Sequence, residues 1–516
     1  MRFTGIDWAI VAFYLGITTL GGLLCERLVK GNLAHFVVAG RQIRKFLLAA
    51  AGSAAEVGLI AVMYLGEEAY ARGFSAFMLP VLILVTQAFI GFSGFCVLRY
   101  RQTGAVTMGH YAEMRYSSSF RMFSGAFQFL AVLLTISMFP IAGGAFITYF
   151  LGLPANFQVG GATLPTVPLV TAALLAPVIA YTMAGGTVSV AFTDYMQFVM
   201  AWIAMAIVTV LVLADCSWGR IVGAVQQTYG ALGFNPLLQE GKQGYGIYWL
   251  GFMTLQYIYG ALVWPPINLR VSSSKDPKAA KQMYAIMSSL HPGRCGMIIV
   301  WGLAALAVVP TAVISLEHLP AGYDRLVRMP YYLGTLMPPI VLGLFAAGLL
   351  AAEMSNVSAY FMATSTVGTQ DILFPLLRRR GLSSATKVRI HRGVILALAV
   401  FAFCWGLWYG LNTTLFTYLM LSGAVYSPGA GAFLTFGLYW KRANAVGAYA
   451  SMVAGAILPL VCIVARFESP NTNYILGFLS YIVAFAGMYA GTRIGERLGV
   501  KARLVQQPEE AAVLQR

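Results

Sequence analysis

Charged residues are scarce in this sequence. Asp, Glu, Lys and Arg make up 10% of its 516 residues, whereas hydrophobic residues make up 59%, and the mean hydropathy is +0.74. A soluble domain of this size could not cover so much apolar surface with so few charges. The composition therefore predicts an all-α polytopic membrane protein, with one transmembrane domain over residues 1–495 and a polar cytoplasmic tail at 496–516.

Residue patterns for covalent or metal chemistry are also missing. The six cysteines lie singly, with no disulfide framework and no metal spacing. No His–acid cluster or nucleophile elbow falls at a membrane interface. We therefore expect no enzyme and no cofactor. No small-residue cleavage motif follows the first apolar segment, residues 6–25, so we also expect no cleaved signal peptide.

Long apolar stretches dominate what is present. A helix crosses the bilayer core in about 20 residues and satisfies its own backbone hydrogen bonds in lipid. The sequence predicts about thirteen such spans, at 6–25, 46–70, 75–97, 120–151, 166–185, 193–213, 247–269, 295–317, 338–373, 393–411, 414–440, 443–465 and 473–491.

Basic residues are distributed unevenly between the predicted loops. If the N-terminus is outside and the C-terminus is cytoplasmic, 27 of the 34 Lys and Arg residues fall on the cytoplasmic side. The net charge of +16 then faces anionic lipid, and no nucleic-acid partner is needed to explain it. We expect a multi-pass protein of the cell membrane, in a bacterial inner membrane, with no obligate protein partner.

The order of spans predicts two inverted halves. Spans two to six (46–213, repeat one) start in the opposite direction to spans seven to eleven (247–440, repeat two). A five-plus-five inverted repeat is a common plan of secondary transporters. A peripheral helix at 6–25 and two additional helices within 443–495 complete the domain, and the symmetry depends on topology alone.

The second span holds a carboxylate among small residues. Glu56 lies in the segment "GSAAEVG" (52–58), where glycines favour either tight helix packing or a discontinuous helix whose freed carbonyls bind a cation. An acid inside a span is a functional candidate by default.

The ninth span holds the second such acid, Glu353. Ala352, Ser355 and Asn356 are spaced i, i+3, i+4 and share one helix face. Their oxygens suit either a hard monovalent cation or hydrogen bonds between neighbouring helices.

No Lys, Arg or His lies in the interior of a predicted span, so neither Glu56 nor Glu353 has a predicted basic partner. An unpaired acid in hydrocarbon must be protonated, reach a water-filled cavity, or be neutralised by a bound cation or cationic solute. Each option favours transport. The missing partners also favour a cationic or zwitterionic solute, unless a sodium ion supplies the charge.

Two acids at the outer end of the second span have a simpler interpretation. Glu68 and Arg72 are an i, i+4 pair, which predicts an exposed ion pair, with an outer gate involving Glu67 and Glu68 as the alternative.

The seventh span offers substrate-pocket candidates in "TLQYIYG": Gln256, Tyr257 and Tyr259. Ordinary aromatic packing is the alternative. Pro265–Pro266 and, in the eleventh span, Pro428 must interrupt their helices. We expect breaks in spans two, seven and eleven to surround one cavity.

Six segments in order resemble the sodium:solute symporter family, whose members include transporters of proline, galactose, sialic acid and monocarboxylates. They are "VAGRQ" (38–42), "LGEEAYARG" (65–73), "YTMAGGTVSVAFTDYMQ" (181–197), "LRVSSSKDPKAAK" (269–281), "GLFAAGLLAAEMSNVSAYFMATSTVGTQDIL" (343–373) and "SPGAGAFLTFGLYWKRANAVGAYASMVAGA" (427–456).

The resemblance implies a sodium site between spans two and nine. Its ligands would be the carbonyls of Ala54, Val57 and Ala352 and the side chains of Ser355 and Asn356. Glu56 and Glu353 would act in ion coupling, with Asp194, which matches the family's Thr-Asp acid, on the ion's exit path. Family members usually carry two adjacent hydroxyl residues where this chain has Ser355–Asn356, and Glu353 has no family counterpart. Both differences keep a proton open as the coupling ion.

The sequence thus predicts sodium-coupled symport of a small organic solute into the cell by alternating access. The alternatives are proton-coupled or uncoupled transport by the same fold, or a membrane sensor. A sensor would need a cytoplasmic signalling domain, and about 20 residues follow the last span.

Overall fold

The computed structural model of the chain describes residues 3–24, 45–56, 58–159, 162–240, 243–309, 324–377, 383–411, 413–467 and 469–503. Within them the chain is almost entirely helical. The helices are α1 (Gly5–Leu24), α2 (Lys45–Glu56), α3 (Leu59–Arg72), α4 (Met78–Ser93), α5 (Val97–Gln102), α6 (Met108–Arg115), α7 (Ser118–Ile136), α8 (Phe139–Leu151), α9 (Thr166–Asp215), α10 (Trp218–Tyr229), α11 (Gly246–Val263), α12 (Pro265–Ser273), α13 (Pro277–Val308), α14 (Arg328–Leu336), α15 (Val341–Thr366), α16 (Phe374–Leu376), α17 (Ser384–Trp408), α18 (Leu415–Ala424), α19 (Ser427–Tyr439), α20 (Ala445–Ala465) and α21 (Pro470–Arg497).

Two antiparallel hairpins lie in connecting segments. One pairs β1 (Asn156–Val159) with β2 (Ala162–Pro165), and the other pairs β3 (Gln239–Glu240) with β4 (Gln243–Gly244). Side-chain caps fix where several helices start. Ser117 accepts from the backbone N–H of Phe120 before α7, and Asn444 accepts from that of Gly447 before α20.

The predicted multi-pass architecture is confirmed. Eight helical stretches of the described residues are long and apolar enough to cross a membrane, or up to ten if each of two bent pairs is one span. The predicted count of thirteen is not confirmed. One reason is that α3 and α4 are joined by the 3₁₀ turn Gly73–Phe77, so both fall in one helical stretch, Leu59–Ser93. The predicted repeat boundaries stay predictions.

The three predicted helix breaks are present. The first separates α2 from α3, where Gly58 has extended backbone geometry before α3. Trp264 separates α11 from α12, whose first two residues are prolines. The third break separates α18 from α19, which are bent by 42°. Proline interrupts a helix because it has no backbone N–H to donate, and glycine weakens a helix because it loses more conformational entropy on folding than other residues.

One predicted loop is wrong. Residues 186–192 were expected to connect the fifth and sixth spans, but they are helical and belong to α9. Its two apolar parts are residues 166–184 and 199–215. Helical hydrogen bonding satisfies the backbone between them, and the glycines there set no helix end.

The predicted absence of basic residues inside the spans is also wrong. We expected the eighth span to start at 295, but α13 starts at Pro277, because Asp276 caps it by accepting from the backbone N–H of Ala279 at 2.7 Å. His291 and Arg294 therefore lie inside the helix, 2% and 1% exposed.

Candidate functional site

The broken helices converge on a central cavity of about 160 Å³. Each break contributes to its wall: Ile60 follows the first, Trp264 lies in the second, and Gly423 lies near the third. The expectation of one cavity surrounded by the three breaks is confirmed. The other lining residues are Tyr64, Ile83, Thr86, Gln87, Thr135, Phe139, Gln256, Tyr257, Gly260, Ala261, Pro266, Ile267, Arg270, Asn356, Tyr360, Leu419 and Met420.

The first break lies directly against α15. A Cβ built on Gly58 would overlap the side-chain amide of Asn356, so only glycine fits this approach without rearrangement. The backbone O atom of Gly58 accepts from the N–H groups of Ala61 and Val62 and thereby starts α3. On the other side of the break, the last carbonyls of α2 have no acceptor role within their own helix.

Asn356 carries a buried acceptor at this junction. The side chain is 2% exposed, and its Oδ1 atom has no hydrogen-bond partner among the described residues. A buried amide oxygen without a donor costs about 1–3 kcal/mol. Ser355 and Ala352 are also buried, 0% and 7% exposed. Since Asn356 lines the cavity as well, an ion on its oxygen would lie next to a solute.

The structure describes four of the predicted site residues only in part or not at all. Val57 is not among the described residues, and the structure describes the backbone but no side-chain contacts of Ala54, Glu56 and Asp194. Ala54 and Glu56 lie in the last turn of α2, and Asp194 lies within α9.

Glu353 is not among the residues that line the cavity. It is 3% exposed, and its Oε2 atom has no hydrogen-bond partner among the described residues. A Cβ built on Gly143 of α8 would lie 3.0 Å from its Oε1 atom. The carboxyl group is thus enclosed between α15 and α8, whereas the Asn356 amide contacts Gly58 at the first helix break.

The three substrate-pocket candidates separate into two groups. Gln256 and Tyr257 line the cavity. Tyr259 does not: its ring stacks on Tyr481 at 5.7 Å between centroids, and a Cβ built on Gly431 would collide with it. Tyr259 therefore packs as an ordinary aromatic side chain, which was the alternative to the predicted pocket role.

Two buried arginines beside α2 were missed by the sequence reasoning. Arg270 of α12 lines the cavity, and its Cδ atom would lie 3.8 Å from a Cβ built on Gly52. Arg294 of α13 donates to the backbone O atom of Ser53. Arg270 lies five residues after Pro265, and Pro265 starts the helix α12 rather than a loop. This position was the sequence signal that Arg270 lies on a helix.

The acids at the end of α3 are buried, so the predicted exposed ion pair is wrong. Glu67 and Glu68 are 2% and 0% exposed. Glu68 lies 3.8 Å from Arg72 and accepts from the Tyr245 hydroxyl at 2.7 Å. Glu67 accepts from the backbone N–H of Leu415 at 2.9 Å, which holds α3 against the start of α18.

A second charged cluster joins α15 to α6 and α7. Asp371 follows α15, is 0% exposed, and lies 2.9 Å from the Arg121 guanidinium. The Thr107 hydroxyl also donates to Asp371, at 2.7 Å. Arg121 in turn pairs with Glu113 at 2.6 Å. Burial alone would raise the pKa of Glu113, but hydrogen bonds from Ser118 and Arg121 outweigh it and hold that pKa below its ordinary value.

A helical membrane bundle whose broken spans enclose a cavity is a common plan of secondary transporters. The sequence model of the sodium:solute symporter family matches residues 36–455. The chain belongs to the sodium:solute symporter family.

The chain is similar to curated sodium/proline symporters and to a solved structure of a Na⁺-coupled symporter. A sodium/proline symporter of Staphylococcus aureus (strain Newman) is 25% identical over 491 residues, which cover 93% of this chain and 90% of the relative. A second, from strain JH9, matches with the same identity and coverage.

Among solved structures, the substrate-bound outward-open state of a Na⁺-coupled sialic acid symporter has a TM-score of 0.77 at 17% identity, covering 98% of this chain and 100% of that one. MhsT in complex with L-phenylalanine has a TM-score of 0.53 at 15% identity, covering 85% and 99%. These neighbours share the fold, and the family supports sodium-coupled symport.

Proposed function

We propose that this protein is a secondary active transporter that couples Na⁺ entry to the uptake of a small organic solute by alternating access. The observation that supports it best is the buried Oδ1 atom of Asn356, which lies beside a helix break on the wall of the cavity. Joint binding of ion and solute would favour the change that opens the site to the other side. Each Na⁺ that enters contributes about 2.3 kcal/mol per 100 mV of membrane potential.

The proposed Na⁺ ligands are all oxygens, which a hard cation prefers. They are the carbonyls of Ala54, Val57 and Ala352 and the side chains of Ser355 and Asn356. Ala54 suits this role because it lies in the last turn of α2, where the carbonyls lack helical partners. Glu56 and Asp194 are proposed to act in ion coupling along the route.

The proposed orientation has the N-terminus outside and the C-terminus in the cytoplasm of a bacterial cell. It is supported by the excess of Lys and Arg in the loops assigned to the cytoplasmic side. In this orientation α3 and α18 meet near the outer surface, and the Asp371 cluster lies near the inner surface.

Replacing Asn356 tests the ion site. Asn356→Ala should raise the Na⁺ concentration needed for half-maximal stabilisation of the purified protein at least tenfold, because one oxygen ligand is lost. Asn356→Ser should keep most of the Na⁺ effect, since a hydroxyl restores an oxygen. The measurement is the melting temperature in detergent across a NaCl series, with choline chloride keeping the ionic strength constant.

Asn473→Ala is the matched control, because Asn473 is also a buried asparagine, 1% exposed, but lies in α21. Its Na⁺ response should equal that of the wild type. Equal Na⁺ responses of Asn356→Ala and the wild type would contradict the proposed site.

Proton coupling is the second candidate, and Glu353 favours it. The side chain is enclosed with no partner for Oε2 among the described residues, so a proton is the simplest charge to neutralise it. Glu353→Gln should then abolish uptake driven by a pH gradient at equal Na⁺ on both sides of proteoliposomes, and leave Na⁺-driven uptake in place. The control is Glu240→Gln, an exposed acid. Unchanged pH-driven uptake in Glu353→Gln would exclude this role.

A further inference from the structure

A second cavity, separate from the central one, lies where α2 and α13 begin. It has a volume of about 200 Å³ and is lined by Lys45, Lys275, Asp276, Lys278, Ala279 and Gln282. Lys45 is the first residue of α2, and the other lining residues lie in the first turns of α13 or directly before it. The cavity thus brings together three lysines that come from two different helices.

Packing between α2 and α13 fixes this arrangement. A Cβ built on Gly52 of α2 would lie 2.8 Å from the Sδ atom of Met287 in α13. One residue further along α2, the backbone O atom of Ser53 accepts from Arg294. The two helices therefore run side by side in the same direction, and their first residues meet at the same end of the bundle.

The lysines give the cavity an excess of positive charge. Lys275 and Lys278 are exposed and Lys45 is half-buried, and none of the three forms an ion pair with the described residues. The lining also includes Asp276, which accepts from the backbone N–H of Ala279 at 2.7 Å and caps α13. Because the aspartate offsets one positive charge of the three, an anion that contacts the lysines would relieve their mutual repulsion.

The chemistry of the lining favours a phosphate group. A lysine ammonium is a compact charge with three donors and binds phosphate oxygens as a point charge. The amino end of α13 borders the cavity and adds partial positive charge. None of the six described lining residues is aromatic, so they offer a nucleobase no face for stacking. The volume exceeds the roughly 150 Å³ that accommodates a benzene-sized ligand, which leaves room for a phosphate and part of a glycerol.

Exposed aromatic residues beside the cavity favour a lipid as the carrier of that phosphate. Phe46 is 69% exposed, and the Nζ atom of Lys45 lies 5.2 Å from the centre of its ring. Phe92 of α4 is 74% exposed, and its neighbour Gly91 packs so closely on α13 that a Cβ there would overlap Ala285. Aromatic residues are enriched at membrane interfaces, and basic pockets between membrane helices suit anionic lipid headgroups.

We propose that this cavity binds the phosphate headgroup of an anionic phospholipid, such as phosphatidylglycerol or cardiolipin, and that the bound lipid links the start of α2 to the start of α13. In the proposed orientation both helices start at the cytoplasmic surface, so the lipid belongs to the inner leaflet. Each lysine near the headgroup contributes about fivefold to binding. The inference goes beyond the proposed function, because the site lies apart from the central cavity.

Lipid binding to the detergent-purified full-length protein, measured by native mass spectrometry, tests the proposal. The probes are phosphatidylglycerol, cardiolipin and phosphatidylcholine with the same acyl chains. Inorganic phosphate and glycerol 3-phosphate are competitors that carry the same group without acyl chains. We expect at least one anionic lipid to bind at least tenfold more tightly than phosphatidylcholine, and neither competitor to displace it at equal concentration.

Lysine variants show whether this cavity is responsible. The triple variant Lys45→Gln, Lys275→Gln and Lys278→Gln should lose at least tenfold of the preference for anionic lipid. Replacing the same three lysines by arginine should keep the preference within threefold of the wild type, because the positive charges remain. If the glutamine triple variant does not fold, Lys278→Gln alone decides, with an expected loss of about fivefold.

The matched control is the triple variant Lys387→Gln, Lys441→Gln and Lys501→Gln. It removes three positive charges from other segments assigned to the cytoplasmic side, and none of these lysines is among the described residues that line the cavity. Its preference for anionic lipid should stay within threefold of the wild type.

Three results would overturn the proposal: phosphatidylcholine binds as tightly as the anionic lipids, both glutamine triple variants lose the preference equally, or a water-soluble phosphate displaces the lipid at equal concentration. Failure of the proposed function looks different. In that case the anionic lipid binds in a way that depends on the three lysines, but a Na⁺ gradient across proteoliposomes drives no solute uptake.

Discussion

At the scale of single residues, the contact between Gly58 and Asn356 holds the proposed ion site together. Glycine is needed at position 58 because any side chain would overlap the Asn356 amide. The same contact brings the end of α2 and the middle of α15 close enough to share one ion. The glycines of "GSAAEVG" thus fit both sequence interpretations, since close packing and a discontinuous helix occur together here.

Gly58→Ala should remove the Na⁺-induced rise in melting temperature, because the added methyl group pushes Asn356 and α15 away from α2. Overpacking of this kind costs about 1–3 kcal/mol, so the variant should also melt at a lower temperature without Na⁺. The matched control is Gly260→Ala in the same cavity, where a Cβ meets no atom within 4 Å. A Na⁺ response of Gly58→Ala equal to that of Gly260→Ala would refute the role of this contact.

Buried arginines lie next to the helix that carries Glu56. Glu56 was predicted to lack a basic partner, but Arg270 and Arg294 lie against α2 in the turn before it. Both arginines fell between the predicted spans 247–269 and 295–317, because those spans were bounded by their apolar stretches. Helix breaks and caps, which depend on local sequence, let α12 and α13 carry these arginines into the protein interior.

At the scale of helices, α1 is an anchor for the helix that carries the proposed ion ligands. Asp7, 0% exposed, accepts through Oδ1 from the backbone N–H groups of Ile340 at 2.7 Å and Gly343 at 3.0 Å. The carboxylate thus satisfies donors at the amino end of α15. Ile340 has a positive φ of 73°, a conformation that a β-branched residue adopts only under tertiary constraint.

Asp7→Ala should lower the free energy of unfolding by about 1–3 kcal/mol, because two N–H groups lose a charged acceptor. The midpoint of denaturant unfolding in detergent measures this effect. Thr4→Val is the control: it removes the 2.6 Å hydrogen bond from the Thr4 hydroxyl to Asp7 and leaves the contacts with α15. If both variants lose the same stability, the anchor between α1 and α15 is not what Asp7 provides.

Helix boundaries divide what the sequence could predict from what it could not. Breaks at Gly58, Pro265–Pro266 and Pro428 were predicted because proline and glycine act on their own helix. The continuity of α9 through 186–192 and the early start of α13 were missed. The start of α13 depends on a single Asp276 cap. The side-chain positions of Tyr259, which packs on Tyr481, and of Glu353, which faces α8, also depend on neighbouring helices.

At the scale of the whole molecule, two sets of polar contacts connect neighbouring helices of the bundle. Glu67 connects α3 to the start of α18, and Asp371, which follows α15, binds Arg121 and Thr107. Alternating access requires each end to open in turn. Because the pKa of Glu113 lies below its ordinary value, its pairing with Arg121 persists as pH falls, until pH passes below that lowered pKa.

The central claim is that Na⁺ and the solute cross together, and solute-stimulated entry of radioactive ²²Na⁺ into proteoliposomes tests it most directly. We predict that the preferred solute accelerates ²²Na⁺ entry into vesicles with wild-type protein, and that Asn356→Ala abolishes this acceleration while Asn473→Ala retains it. The account would be contradicted if ²²Na⁺ entry did not respond to the solute while solute uptake continued at the same rate with K⁺ in place of Na⁺.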